Sequence, residues 1–263
     1  MNNWLIQLYR KLFCRGGHGV HSPFVFDIIT TVIEEKCHYY CYDRLYPVRT
    51  QLLKRPQKVT IHARKMSIGK VITQHCFTER EDRLLFRLAN RFQPKKILAL
   101  GSDFGLTPLY LTAFSKDTSC IVIEPESEVA AIAAELIDKN ASAPVEVRDN
   151  LTKADIAEKF DMIVWGSCCQ LSVLAKADFQ FSCQGTAIND RVAFNLESFK
   201  QLLSCIHDDS VLVIIGIHAS KKSCETWKAV CSHRKVSVTL ELDNLGVVFF
   251  KPNLQQRSYK ANC

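Results

Sequence analysis

One stretch limits what this chain can become: the apolar run Ile97 to Leu100, with charge before it and Gly101 and Gly105 after it. A short apolar run closed by a turn residue reads as a buried strand. Beyond Gly105 the pattern becomes helical, with Thr107 as the expected N-cap and Pro108 at the first helical position, where its missing N–H is not needed. A second strand, Cys120 to Ile123, ends in Glu124, 23 residues after Gly101. Strand, glycine turn, helix, strand and terminal carboxylate form the nucleotide-binding half of a doubly wound sheet. In such a unit the glycines admit a ligand to the backbone at a helix N-terminus, and the carboxylate can hold ribose hydroxyls.

The flanking sequence fits that frame. The chain has 263 residues, 47% hydrophobic and 23% charged, the balance of an ordinary globular protein. No apolar run approaches the roughly 18 residues of a membrane span. The N-terminus places its apolar residues ahead of its charges, unlike a signal peptide, so a cytoplasmic location is expected. Twelve cysteines show no repeated Cys-x-x-Cys pair. The groups Cys37, His38, Cys41 and Cys224, Cys231, His233 are poor zinc spacings, and reduced thiols, mostly buried, are expected instead. Of the net charge of +7, residues 1–96 carry 18 Lys+Arg against 7 Asp+Glu. Scattered as they are, these cations read first as a solvated face, with nucleic acid as the alternative.

Residues 1–92 are expected to form a mainly helical lid. An apolar stripe runs from Trp4 to Phe13, and Ser22 caps a helix starting at Pro23. Lys36 to Lys70 is irregular, with Tyr39, Tyr40 and Tyr42 as pocket or core residues, and Glu79 to Phe92 is an amphipathic helix. From 93 to 252, strands and helices alternate. Helices are expected at Ser127–Lys139, Lys153–Lys159, Asp190–Ile206 and Ser223–His233. Strands are expected at Val145–Val147, Phe160–Trp165 and Ser210–Ile217. Val236–Leu242 and Gly246–Phe250 close the series as a hairpin. Residues 253–263 read as a solvated tail.

This order implies an α/β fold: a doubly wound, seven-stranded, mostly parallel sheet with a C-terminal antiparallel hairpin. It resembles class I S-adenosylmethionine-dependent methyltransferases, and more closely a bacterial O-methyltransferase-like group. The resemblance is carried by His18-Gly-Val-His-Ser-Pro-Phe-Val-Phe26, Leu84-Leu-Phe-Arg-Leu88, Ile97 to Leu111 and Leu245-Gly-Val-Val-Phe-Phe-Lys251.

The resemblance implies S-adenosylmethionine as cofactor. It would be held by Gly101, Ser102, Asp103 and Gly105 in the turn, by Glu124 at the ribose, and by Asp149 and Asn150 near the adenine. An ordinary βα turn is the alternative reading of the glycines, and a plain turn that of Asp149 and Asn150. It also implies His218, after the fifth strand, as general base for a substrate hydroxyl, with a structural or solvated histidine as the alternative. The chain departs from the family at three acidic positions: Ala99, where the family acid lies near the cofactor's amino end, and Gly166 and Gly216, where metal-dependent members carry carboxylates, so no metal site is expected. The leading expectation is therefore metal-independent methyl transfer to a hydroxylated small molecule, with no membrane partner and a homodimer left open. A catalytically degenerate binding protein of the same fold and an RNA methyltransferase are the rivals.

Overall fold

The computed structural model describes residues 21–61, 64–152, 155, 157–166 and 195–261. The expected stripe from Trp4 to Phe13, His18 and the stretch 167–194 lie outside them, as does part of the Lys153–Lys159 helix.

Ser22 caps helix α1 (Pro23–Ile28), its Oγ accepting from the Val25 N–H at 3.5 Å; a π turn carries the helix on through Ile33. The segment expected to be irregular is ordered instead. It forms helix α2 (Tyr40–Leu53), the antiparallel hairpin β1 (Lys58–Ile61) and β2 (Arg64–Ser67), and helix α3 (Ile68–His75). Helix α4 (Glu79–Phe92) starts at a reciprocal cap: Thr78 accepts from the Glu81 N–H and Glu81 from the Thr78 N–H.

The main sheet then follows. Its strands are β3 (Lys96–Leu100), β4 (Ser119–Ile123), β5 (Val145–Arg148), β6 (Phe160–Trp165), β7 (Ile206–Ile215), β8 (Val238–Leu242), β9 (Leu245–Phe249) and β10 (Arg257–Lys260). Their spatial order is β10-β8-β9-β7-β6-β3-β4-β5. Every pairing is parallel except the two made by β9. A 3-10 turn (Asp103–Gly105) and helices α5 (Leu106–Leu111), α6 (Ser127–Asn140), α7 (Leu196–Leu202) and α8 (Lys221–Cys231) lie between the strands.

Two expectations are corrected here. The sheet has eight strands rather than seven, and the extra one lies in the presumed solvated tail. Arg257 N–H donates to the Ser237 carbonyl and Ala261 N–H to that of Glu241, so this segment pairs with the free edge of β8, and Ala261 is buried. Strand β7 also begins at Ile206, where a helix was expected to end. An irregularity in the β6–β7 register absorbs the exposed Asp208 and Asp209.

One face of the sheet packs Val25 and Ile28 of α1, Val32 of the π turn and Leu84, Leu85 and Leu88 of α4 against Ile97, Ala99, Met162 and Val213. The other packs α7 and α8 through Phe199, Leu202, Trp227 and Val230. Each buried leucine on α4 contributes about 1.5–3 kcal/mol. The change at residue 92 is thus one of secondary structure, since a single core runs across it.

The chain travels outward from β3 to β4 and β5, then returns to place β6 on the other side of β3. Connections that diverge in this way leave a crevice outside the carboxyl ends of β3 and β6, where open α/β sheets bind ligands.

Candidate functional site

Around that crevice stand the ends of four strands. Gly101 N–H donates to the Ile123 carbonyl at 2.9 Å, Glu124 N–H to that of Arg148 at 2.8 Å, and Gly166 N–H to that of Leu100 at 2.8 Å. These bonds bring Gly101, Ser102, Asp103, Gly105 and Glu124 together, with Asp149 and Asn150 one step beyond, at the end of β5.

The turn after β3 is unusual in its backbone. Gly101 has φ 100°, and Asp103 and Phe104 have φ 47° and 58° before Gly105 at 93°. Two successive side-chain residues in the left-handed region carry strain that their surroundings must hold. Phe104 is fully buried against Leu106, Val129 and Ile132, and that packing provides the anchor. The helix therefore begins at Leu106 with Gly105 as its cap, not at the expected Thr107. Gly105 has no room for a side chain: a Cβ there would meet the Ala133 carbonyl at 3.0 Å. Gly105→Ala is expected to lower stability by at least about 1 kcal/mol in urea titration.

Thr107 has a different task. Its hydroxyl lies 3.2 Å from Asp82 Oδ1 and 3.1 Å from Asp103 Oδ2. Asp82 Oδ2 accepts from Arg49 Nη1 at 2.7 Å, and Arg49 Nη2 donates to the Phe77 carbonyl at 2.6 Å. The Phe77 N–H in turn donates to Asp103 Oδ2 at 2.9 Å. Arg49, Asp82, Asp103 and Thr107 are all buried, with Arg49 bonded to Asp82 and only its charge reaching Asp103. Burial, opposed by Arg49 and reinforced by Asp103, pushes the Asp82 carboxyl well above its usual range. Burial likewise raises Asp103, against hydrogen bonds from Phe77, Thr107 and the Cys76 side chain. Asp103 Oδ1 is left without a hydrogen-bond partner. It faces the end of β6, where a Cβ on Gly166 would come within 3.9 Å of it.

Glu124 is 1% exposed. Its Oε2 accepts from the Ser102 N–H at 3.1 Å and Oγ at 2.7 Å, and its Oε1 from the Glu126 N–H at 3.3 Å. Burial lifts its carboxyl to about 7 although those hydrogen bonds oppose it. The carboxylate thus closes on the glycine turn from the neighbouring strand and keeps acceptor capacity at the crevice.

His218 is not part of this group. Its Nε2 lies 3.2 Å from Glu241 Oε1 on β8, and its Nδ1 lies 3.6 Å from Cys224 Sγ on α8. In the sheet, β8 stands on the opposite side of β7 from β3 and β4. The ring follows β7 at the carboxyl end of the sheet and is bonded to Glu241 and Cys224 rather than to the glycine turn, and its role as general base stays an expectation. Among the departures, Ala99 is fully buried in the apolar core. Among the described residues no group of three or more His, Cys, Asp or Glu is placed to hold a metal ion.

Sequence reasoning missed Arg49 and Asp82. Asp82 stands three residues before Leu85 and seven before Ala89, on the buried stripe of α4. A charge at such a position was the available signal. A concavity of about 1270 Å³ opens beside α4, lined by Tyr42, Tyr46, Thr78, Arg80, Arg83 and Arg87 among others. Of the three expected pocket tyrosines only Tyr42 lines it. Tyr39 packs on Phe86, and Tyr40 is exposed.

No protein-family model matches the chain, and no curated protein matches it. Solved structures do. The SAH-bound Podospora anserina methyltransferase PaMTH1 aligns at 11% identity with TM-score 0.56, over 88% of this chain and 97% of its own. The O-methyltransferase from Bacillus cereus in complex with SAH aligns at 14% identity with TM-score 0.51, over 84% and 95%. A putative O-methyltransferase from Klebsiella pneumoniae aligns at 11% identity with TM-score 0.51, over 84% and 94%. At these identities the likeness defines the fold: the chain has the Rossmann-like fold of class I methyltransferases.

Proposed function

We propose that this chain binds S-adenosylmethionine at the β3–β6 crevice and transfers its methyl group to a hydroxyl of a small molecule, without a metal. The observation that carries the reading is Glu124, a buried carboxylate at the end of β4 with one oxygen on Ser102 of the glycine turn and the other on the Glu126 N–H. Ribose hydroxyls are the donors such a carboxylate suits. Gly101 and Ser102 would line the approach of the amino-acid part. The unpartnered Asp103 Oδ1 offers an acceptor for its ammonium, taking over from the acid absent at Ala99. Asp149 and Asn150 would flank the adenine. When bound, the cofactor supplies an electrophilic methyl group on a sulfonium sulfur; the chain's own task is to hold and orient.

The concavity beside α4, lined by Tyr42 and Tyr46 with charged side chains of both signs, suits the substrate. It reaches Thr78, next to Phe77, which is bonded to Asp103. The basic N-terminal half favours nucleic acid weakly, because Arg55 and Lys96 pair with Glu135 and Glu158 of the acidic half. A second reading, binding without turnover, is favoured by the position of His218.

Titration calorimetry with S-adenosylmethionine and S-adenosylhomocysteine is the test. Micromolar binding of both is expected, with methyl turnover on a panel of hydroxylated metabolites. Binding with no turnover selects the second reading. No heat from either ligand at near-millimolar sites removes both.

A further inference from the structure

Across the sheet from the crevice, three side chains from three elements form a separate group. Cys224 is half-buried in the first turn of α8, an 11-residue helix. His218 stands between its sulfur and Glu241 of β8. An imidazole beside a carboxylate donates to it, so in the neutral ring Nε2 carries the hydrogen and Nδ1 offers its lone pair to the thiol. Glu241 is itself fixed: its Oε2 accepts from Trp227 Nε1 at 3.2 Å, and its Oε1 lies 3.2 Å from Lys260 Nζ on β10. Burial would raise its carboxyl, but Lys260, His218 and Trp227 outweigh it and hold it below the usual range, so it stays anionic opposite the ring. Cys224 also lies near the positive end of the α8 dipole, with Lys221 and Lys222 exposed in the same turn.

We propose that Cys224, His218 and Glu241 form a nucleophile, base and orienting carboxylate, and that Cys224 is a reactive thiol for low-molecular-weight disulfides. The arrangement is the one that activates a thiol: a base within reach of the sulfur and a third group holding the base. In the step, the Sγ proton moves to His218 Nδ1. The sulfur electron pair attacks one sulfur of the disulfide and forms the mixed disulfide. The other sulfur leaves as a thiolate and takes the proton from His218. The small disulfide is the oxidant, and one small thiol is released per protein modified.

Cys37 provides a control within the molecule. It is exposed, and the neighbouring Glu35 pushes its thiol up, first through a hydrogen bond and then through charge. The full chain is treated with glutathione disulfide between pH 5 and 10, digested after quenching, and each cysteine peptide is quantified by mass spectrometry. At pH 7, Cys224 is expected to be modified at least tenfold faster than Cys37. His218→Ala is expected to cut the Cys224 rate about tenfold, leaving the Cys37 rate unchanged. Equal rates at the two cysteines, or a Cys224 rate indifferent to His218→Ala, overturn the proposal. If His218→Ala does not fold, the unsubstituted chain decides, and a Cys224 rate no faster than that of Cys37 at pH 7 overturns it.

Discussion

Glu124→Gln is expected to do two opposite things: weaken S-adenosylmethionine binding about 30-fold or more, and stabilise the empty protein above pH 7. The first follows from exchanging an anionic acceptor for a neutral amide, since hydrogen bonds to a charged group are worth about 1.5–3 kcal/mol each. The second follows from burial. With a folded value of about 7 against an ordinary 4.5, the native state holds a proton through that interval that the unfolded chain has released. The stability this carboxyl confers is therefore full below pH 4.5 and lost as pH rises through 7, a swing of about 3 kcal/mol at 1.36 kcal/mol per unit. Gln has no such titration. Its amide keeps an acceptor for Ser102 but loses the second one at Glu126, so the net gain at pH 8 is about 2 kcal/mol. Urea titrations at pH 5 and pH 8 read the stability, and calorimetry reads the affinity. Ribose hydroxyls would favour the anion, so binding near pH 7 should also release protons, seen as a dependence of the heat on buffer. A variant that is less stable at pH 8, or binds unchanged, removes Glu124 from the role assigned to it.

Much of this site was legible because its signals are local. The Thr78-x-x-Glu81 cap sets the start of α4, and apolar runs set β3, β4 and β6. The position of Glu124 follows from the length of one βα unit. What was not legible depends on partners distant in sequence. Asp103 and Phe104 adopt left-handed backbone only because Phe104 is packed under α6, so Thr107 looked like a cap when it is a buried bridge. Strand β10, Arg-Ser-Tyr-Lys, has no apolar alternation of its own; the free edge of β8 recruits it. His218 was placed at the correct end of the sheet by counting strands. Its orientation depends on Glu241 and Cys224, and nothing in its neighbourhood along the chain announces them.

The Arg49–Asp82–Thr107–Asp103 network is expected to show the largest stability effect. Arg49→Met removes the one cation and leaves the Asp82 carboxylate and the Phe77 carbonyl without it. Breaking a buried pair from one side costs about 3–5 kcal/mol. The cost should depend on pH. Asp82 and Asp103 already lie above the carboxylate range in the folded state, and removing Arg49 raises Asp82 further. A raised folded value means stability that is full below the unfolded value and is lost as pH rises, so the variant should be weakest at pH 8 and recover toward pH 4–5, near the unfolded carboxylate range of about 4. Removing both charges tests the same logic from the other side. In Arg49→Met with Asp82→Leu, no buried carboxylate remains beside Thr107 except Asp103, which keeps its Phe77 and Thr107 hydrogen bonds. The double variant is expected to regain most of the loss, giving strong non-additivity in a urea-denaturation cycle. Additive losses would mean that Arg49 acts through packing of its stem alone. The network also connects α2 to the turn that presents Gly101 and Ser102. Cofactor affinity measured on the refolded double variant should therefore fall even where stability returns, because Phe77 and Thr107, which hold Asp103, have lost their own partners Arg49 and Asp82.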